Sequence, residues 1–193
     1  VYLLMAVLLI SCATVPITGR RSLNLIPVET INSMSFQQYN QFLQSNNLSS
    51  NQGQVNMIQR VGGKIRNAVE RYFQANNMSS QLANYSWEFN LVEDSNINAW
   101  CMPGGKVVFY TGILPLMKNE DQVAVVMGHE IAHAVAGHGN ERMSQSLLAQ
   151  MGGMALAKAL DEKPQETQAL WMGAFGLGAQ FGVLLPFSRL HEY

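Results

Sequence analysis

Apolar positions change their spacing several times along the chain, and each change marks an element. Between residues 33 and 50, Met34, Phe36, Tyr39, Phe42 and Leu43 fall at helical spacing between Ser- and Asn-rich flanks, which predicts a short helix with one apolar stripe. Val55, Ile58, Val61, Ile65, Val69 and Phe73 recur at threes and fours among Gln, Arg, Lys and Glu, predicting a stronger helix over 55–72. Gly62-Gly63 inside it costs about 1 kcal/mol per glycine relative to alanine, so the pair is expected where another element approaches closely. From residue 84 the period shortens to two. Tyr85, Trp87, Phe89 and Leu91 alternate with Ser86, Glu88 and Asn90, the pattern of a half-buried strand. Residues 96–100 read as a second extended piece, Met102-Pro103-Gly104-Gly105 as a turn, and Lys106-Val107-Val108-Phe109-Tyr110 as another strand.

The second half of the chain reads as helical. Ile113 to Met117 starts a helix with Pro115 in its first turn, and Asn119 is placed to cap a long segment from Gln122 to Ala136 behind the acidic pair Glu120-Asp121. Residues 141–162 are Ala-, Met- and Leu-rich. Glu166 to Leu185 is almost uncharged, with Gly173, Gly176, Gly178 and Gly182 among large apolar residues. Small residues at that spacing suit either a central helix pressed by its neighbours or a membrane-embedded one, and the expectation here is a buried core helix.

Composition narrows the function. The 193 residues balance 12 Lys plus Arg against 13 Asp plus Glu for a net charge of −1, and no stretch gathers basic residues, which argues against nucleic acid as a partner. Hydrophobic residues make up 48% and charged residues only 13%, which excludes disorder for most of the chain and makes contact with a membrane plausible.

Val1 to Ile10 is an apolar run, too short for the about 20 residues that cross a bilayer but within the about 7 to 15 of a secretory signal core. Leu9-Ile10-Ser11-Cys12 resembles the lipobox of bacterial lipoproteins, which implies cleavage before Cys12 and lipidation of that residue. The expectation is a partial signal peptide over 1–11, a tether over 12–30 carrying Pro16, Gly19 and Pro27, and a folded domain over 31–193. With Cys12 acylated, Cys101 has no partner for an internal disulfide.

The chemistry concentrates in His129-Glu130-Ile131-Ala132-His133. Histidines four apart on a helix stand one turn above each other, so both imidazoles can reach one metal ion, with Glu130 beside it to take a proton from the attacking water. Metal-assisted hydrolysis is the chemistry that this arrangement suits. Val123, Ala124, Val126 and Met127 make the preceding turns apolar, so the helix is expected to be largely buried. Catalytic zinc takes three protein ligands. His138 and Glu192 are the candidates for the third, and the metzincin spacing of a third histidine is absent.

Residues 123–144, with His129-Glu130-Ile131-Ala132-His133, Ala136-Gly137-His138-Gly139-Asn140 and Glu141-Arg142-Met143-Ser144, resemble the M48 family of zinc metallopeptidases. Asn98-Ala99-Trp100, residues 103–112 and residues 185–193 resemble further pieces of that family. The nearest branch is that of periplasmic, often lipid-anchored bacterial members, relatives of HtpX and of the CAAX prenyl proteases. The resemblance implies an α+β, mainly helical, gluzincin-like zincin domain with a small antiparallel sheet beside the metal helix. It implies one zinc ion per chain, Glu192 as the third ligand, and an Asp four residues further on, past Tyr193. It also assigns Gly105, Lys106, Val107, Val108, Phe109 and Tyr110 to an exposed strand edge that pairs with an extended substrate. His138 and Arg189 are candidates for supporting positions around the metal.

The function expected on this basis is a zinc endopeptidase cutting unfolded or misassembled cell-envelope proteins. It would be lipid-anchored through Cys12 in the bacterial periplasm, at the outer membrane, with the outer-membrane assembly machinery as a further partner. The alternatives are a noncatalytic envelope chaperone or assembly lipoprotein on the same fold, and an integral membrane metalloprotease with residues 166–185 as a span.

Overall fold

Two groups of helices organise the computed structural model, which describes residues 12–15 and 19–179. The described residues divide into two units, one made of 15, 19 and 27–139 and the other of 12–14, 20–26 and 140–179.

The first unit is built around a three-stranded sheet of β3 (Glu88–Val92), β4 (Ala99–Met102) and β5 (Lys106–Tyr110) in the order β3-β5-β4. The sheet is mixed, not antiparallel as expected: β5 runs antiparallel to β4 but parallel to β3, with Phe89 opposite Val107 and Trp100 opposite Val108. β3 and β4 run in opposite directions, so a strand inserted between them must be parallel to one. The β4–β5 turn relies on Gly104 and Gly105, both at positive φ (82° and 86°), where an L side chain would be strained.

Helices cover both faces of this sheet. On one face, Leu91, Val107 and Phe109 join Ile58, Val61 and Phe73 of α2 (Gln52–Ala75) and Val123, Met127 and Ile131 of α3 (Glu120–Val135) in the main core. On the other, Tyr39 of α1 (Val28–Ser45) packs with Val92 and Val108, and Trp100 meets Phe42 edge-on at 5.0 Å. A central strand covered on both faces loses the alternation of polar and apolar residues, which is why β5 reads as a continuous apolar run. Its one charge, Lys106, is buried. The Nζ of Lys106 donates to Ser86 Oγ at 3.1 Å, pairs with Glu88, and lies 4.8 Å from the Phe36 ring centre.

The helices expected near 33–50 and 55–72 both form, with α1 starting earlier, directly after Pro27, and α2 capped by Asn51 Oδ1 accepting from Gln54 N at 3.2 Å. The double glycine is half explained by packing. A Cβ at Gly62 would run into the Phe89 ring of β3, whereas Gly63 faces open space.

In the second unit, the stretch expected to be a tether is paired backbone: β1 (Cys12–Thr14) lies antiparallel to β2 (Arg21–Leu23). Residues 20–26 within that stretch dock on the start of α4 (His138–Ala159). Arg20 donates to both carboxylate oxygens of Glu141, Leu25 N donates to Ser144 Oγ at 2.9 Å, and Asn140 Nδ2 donates to the Ile26 carbonyl at 2.9 Å. Local spacing carries no sign of these long-range polar contacts.

α5 (Gln165–Ala179) returns against α4, with the ring of Phe175 over Gly152 and Gly153. The expected buried core helix is corrected here. Leu170 and Trp171 are 72% and 54% exposed, because apolar residues occur all round α5 and only part of its surface meets α4. No helix among the described residues is long and apolar enough to cross a membrane. The expected signal peptide over 1–11 and residues 180–185 lie outside the described residues.

Candidate active site

α3 presents the candidate chemistry. Asn119 Oδ1 accepts from Gln122 N at 3.1 Å, and Glu120 and Asp121 occupy the first turn, where carboxylates complement the helix dipole. The helix ends at Val135, and Gly137, two residues on, has a φ of 73° that breaks the helical path before His138. Val123, Met127 and Ile131, four apart, form the stripe that holds α3 in the core. At about 100° per residue, that stripe turns His129, Glu130 and His133 onto other sides of the helix. His129 is exposed, while Glu130 and His133 are half-buried.

The two imidazoles converge. His129 Nε2 and His133 Nε2 are 2.9 Å apart, with the rings edge to face and their centres 4.4 Å apart. Zn–N bonds of about 2.0 to 2.1 Å in tetrahedral geometry place two nitrogens roughly 3.3 Å apart, so a small opening of the rings admits one ion and the pair fits zinc. On the other side of the His133 ring, Nδ1 lies 2.7 Å from His138 Nδ1. Among the described residues no group of three potential ligands surrounds one point. Glu192 and Arg189 lie outside the described residues.

Glu130 is held above the usual carboxylate range by burial, with the charge of His129 pulling the other way. It sits near β4, where burial first and the Glu130 charge second push the Cys101 thiol well up. Tyr85 adds a support that alternation alone does not reveal: its hydroxyl donates to the Ala134 carbonyl in the last turn of α3, at 3.2 Å. Its side chain reads simply as part of a strand pattern, and nothing in the spacing marks the contact.

The expected substrate strand is corrected. β5 is the central strand, with its main chain paired on both sides and Gly105 to Phe109 buried, so it offers no free edge. The outer side of β3 is also covered, by residues 47–49, with Ser49 N donating to the Leu91 carbonyl and Glu93 N to the Asn47 carbonyl, both at 2.8 Å. β4 is the strand next to α3 whose outer edge no described strand pairs with. Tyr110 N bonds the Asn98 carbonyl, so the antiparallel alternation turns the main-chain groups of Ala99 and Cys101 toward that open edge. Cys12 lies in β1, and its side chain is not among those described.

With this geometry in view, comparison with known proteins is decisive at the family level. The model of peptidase family M48 matches residues 59–193, more than half of the chain and including all of α3. The chain belongs to peptidase family M48. Among curated relatives, it is 37% identical over 113 residues to the mitochondrial metalloendopeptidase OMA1 of Schizosaccharomyces pombe, a match covering 58% of this chain and 31% of that protein. The human mitochondrial metalloendopeptidase OMA1 matches at 26% over 142 residues, 72% of this chain and 26% of that one. The beta-barrel assembly-enhancing protease of Escherichia coli matches at 30% over 90 residues, 47% of this chain and 15% of that one. The chain thus spans less than a third of the length of these relatives.

Proposed function

We propose that this M48 member is a zinc-dependent endopeptidase that hydrolyses unfolded or misassembled polypeptides of a cell envelope. The observation carrying this reading is the convergence of His129 Nε2 and His133 Nε2 at 2.9 Å beside the half-buried carboxylate of Glu130. His129 and His133 would hold the ion, with Glu192 as the third ligand. Zinc, when bound, activates water and polarises the scissile carbonyl. Glu130 takes the proton from the attacking water and passes it to the leaving amine. Its raised affinity for a proton, which follows from burial, suits both transfers.

An extended substrate would add a strand to the open edge of β4, main chain to main chain, next to Glu130. Such pairing reads backbone more than side chains and so favours unfolded segments. Replacing Ala99 by proline deletes an outward N–H while leaving the β4–β5 ladder intact. It is expected to raise KM about tenfold, the worth of one to two hydrogen bonds; an unchanged KM would reject this edge.

The envelope setting rests on the lipobox-like Leu9-Ile10-Ser11-Cys12 and on the name of the E. coli relative. On this reading the protein is a bacterial periplasmic one, lipid-anchored at the outer membrane, with the outer-membrane assembly machinery as a partner. Radiolabelled palmitate incorporated by the wild type and lost in Cys12→Ala supports the anchor, and equal labelling of both rejects it.

The activity itself is tested by denatured casein. The zinc-loaded wild type is expected to cleave it, and Glu130→Gln to lose that cleavage by about 100-fold to 10,000-fold, the range of general-base catalysis. Equal cleavage by both would reject Glu130 as the base, and envelope function retained in Glu130→Gln cells would favour a noncatalytic assembly role.

A further inference from the structure

Resting on the zinc-peptidase reading, we propose that His138 is a positioning residue that fixes the ring and the tautomer of His133 for metal binding, and is not itself a zinc ligand. The two nitrogens of one imidazole point away from each other. His133 uses Nε2 toward His129 at 2.9 Å and Nδ1 toward His138 at 2.7 Å, so the partner on Nδ1 stands behind the ring and away from the ion.

The proton assignments follow from the chemistry. A nitrogen that binds metal must present a lone pair, so the proton of neutral His133 resides on Nδ1 and is donated to His138 Nδ1. His138 Nδ1 is then the acceptor, and the proton of His138 is carried on its Nε2. The bond holds the His133 ring against rotation about its Cβ–Cγ axis and makes Nε2 a better donor to metal.

The local chain builds this contact. Gly137, at a φ of 73°, breaks the helical path after α3 and lets α4 begin at once with His138. Five residues after His133, the His138 ring centre therefore comes to 4.9 Å from that of His133, at a tilt of 54°. Without this break, position 138 on a continued helix would lie about 500° around from 133, or roughly 140° away from its face.

The acceptor is the δ-position nitrogen, and asparagine carries its amide oxygen at the same distance from the main chain. His138→Asn therefore preserves the acceptor, whereas His138→Leu keeps similar bulk and removes it. Zinc dissociation constants of the intact protein, measured by competition with a chromogenic chelator, should weaken about 10- to 100-fold in His138→Leu and stay within about threefold of wild type in His138→Asn. Nitrogen-15 spectra of the zinc-loaded forms should show the His133 proton on Nδ1 in wild type and in His138→Asn. Zinc affinity in His138→Leu within about twofold of wild type, or a loss in His138→Asn as large as in His138→Leu, would overturn the proposal. Neither readout needs turnover. A protein that binds zinc with this pattern but cuts nothing would overturn the peptidase reading and leave the role of His138 intact.

Discussion

α3 and α5 are both rich in apolar residues, yet they meet opposite fates. In α3 the large apolar residues Val123, Met127 and Ile131 recur every four residues, and Ile131 is 1% exposed. In α5 Leu170, Trp171, Met172 and Leu177 point in several directions and are exposed. Burial follows the angular arrangement of apolar residues, and apolar content alone does not deliver it. The lesson carries to function. A helix locked by a single stripe can turn polar residues outward in fixed directions, as a metal site requires.

The largest test of this contrast is stability. Ile131→Ala should destabilise the protein by about 2 to 4 kcal/mol in urea denaturation, because it opens a cavity where α2, α3 and the sheet meet. A loss below about 1 kcal/mol would mean that the α3 stripe is not locked as described. An intermediate effect is expected at the polar docking onto α4. Arg20→Met should cost about 1 to 3 kcal/mol, since the Glu141 carboxylate, 2% exposed, loses the charged donors of Arg20. A neutral result would show that Glu141 is satisfied without Arg20. The smallest effect belongs to α5. Leu170→Ala should change stability by no more than about 0.5 kcal/mol, as at other exposed positions. A cost as large as that of Ile131→Ala would erase the comparison.

How far each region could be read from the chain follows the same division. α3 was legible within two residues at its start because its apolar period and the cap at Asn119 agree. β5 was legible at both ends, and the Pro103-Gly104-Gly105 turn marked the β4–β5 hairpin. Its central place was not, since the order of strands in a sheet depends on contacts across the chain and not on local pattern. For that reason the expected free edge fell on β5, which is paired on both sides. The pairing of β1 with β2 and the docking of residues 20–26 on α4 were equally hidden. The docking rests on Arg20, Asn140, Glu141 and Ser144, polar residues that local spacing would send to solvent.

At the site, the convergence of His129 and His133 was legible from their spacing of four. The approach of His138 required knowing that the helical path breaks at Gly137. The contact of Tyr85 with the end of α3 has no signal in the sequence, because it joins residues 49 apart.

The most direct test of the central claim is the zinc-to-protein ratio, by native mass spectrometry, of the wild type, Glu130→Gln and the double variant His129→Ala/His133→Ala. One zinc in the wild type and in Glu130→Gln, and none in the double histidine variant, is the result predicted for a metal held by the two histidines with Glu130 free to act as base. Zinc retained by the double histidine variant, or absent from the wild type, would contradict it.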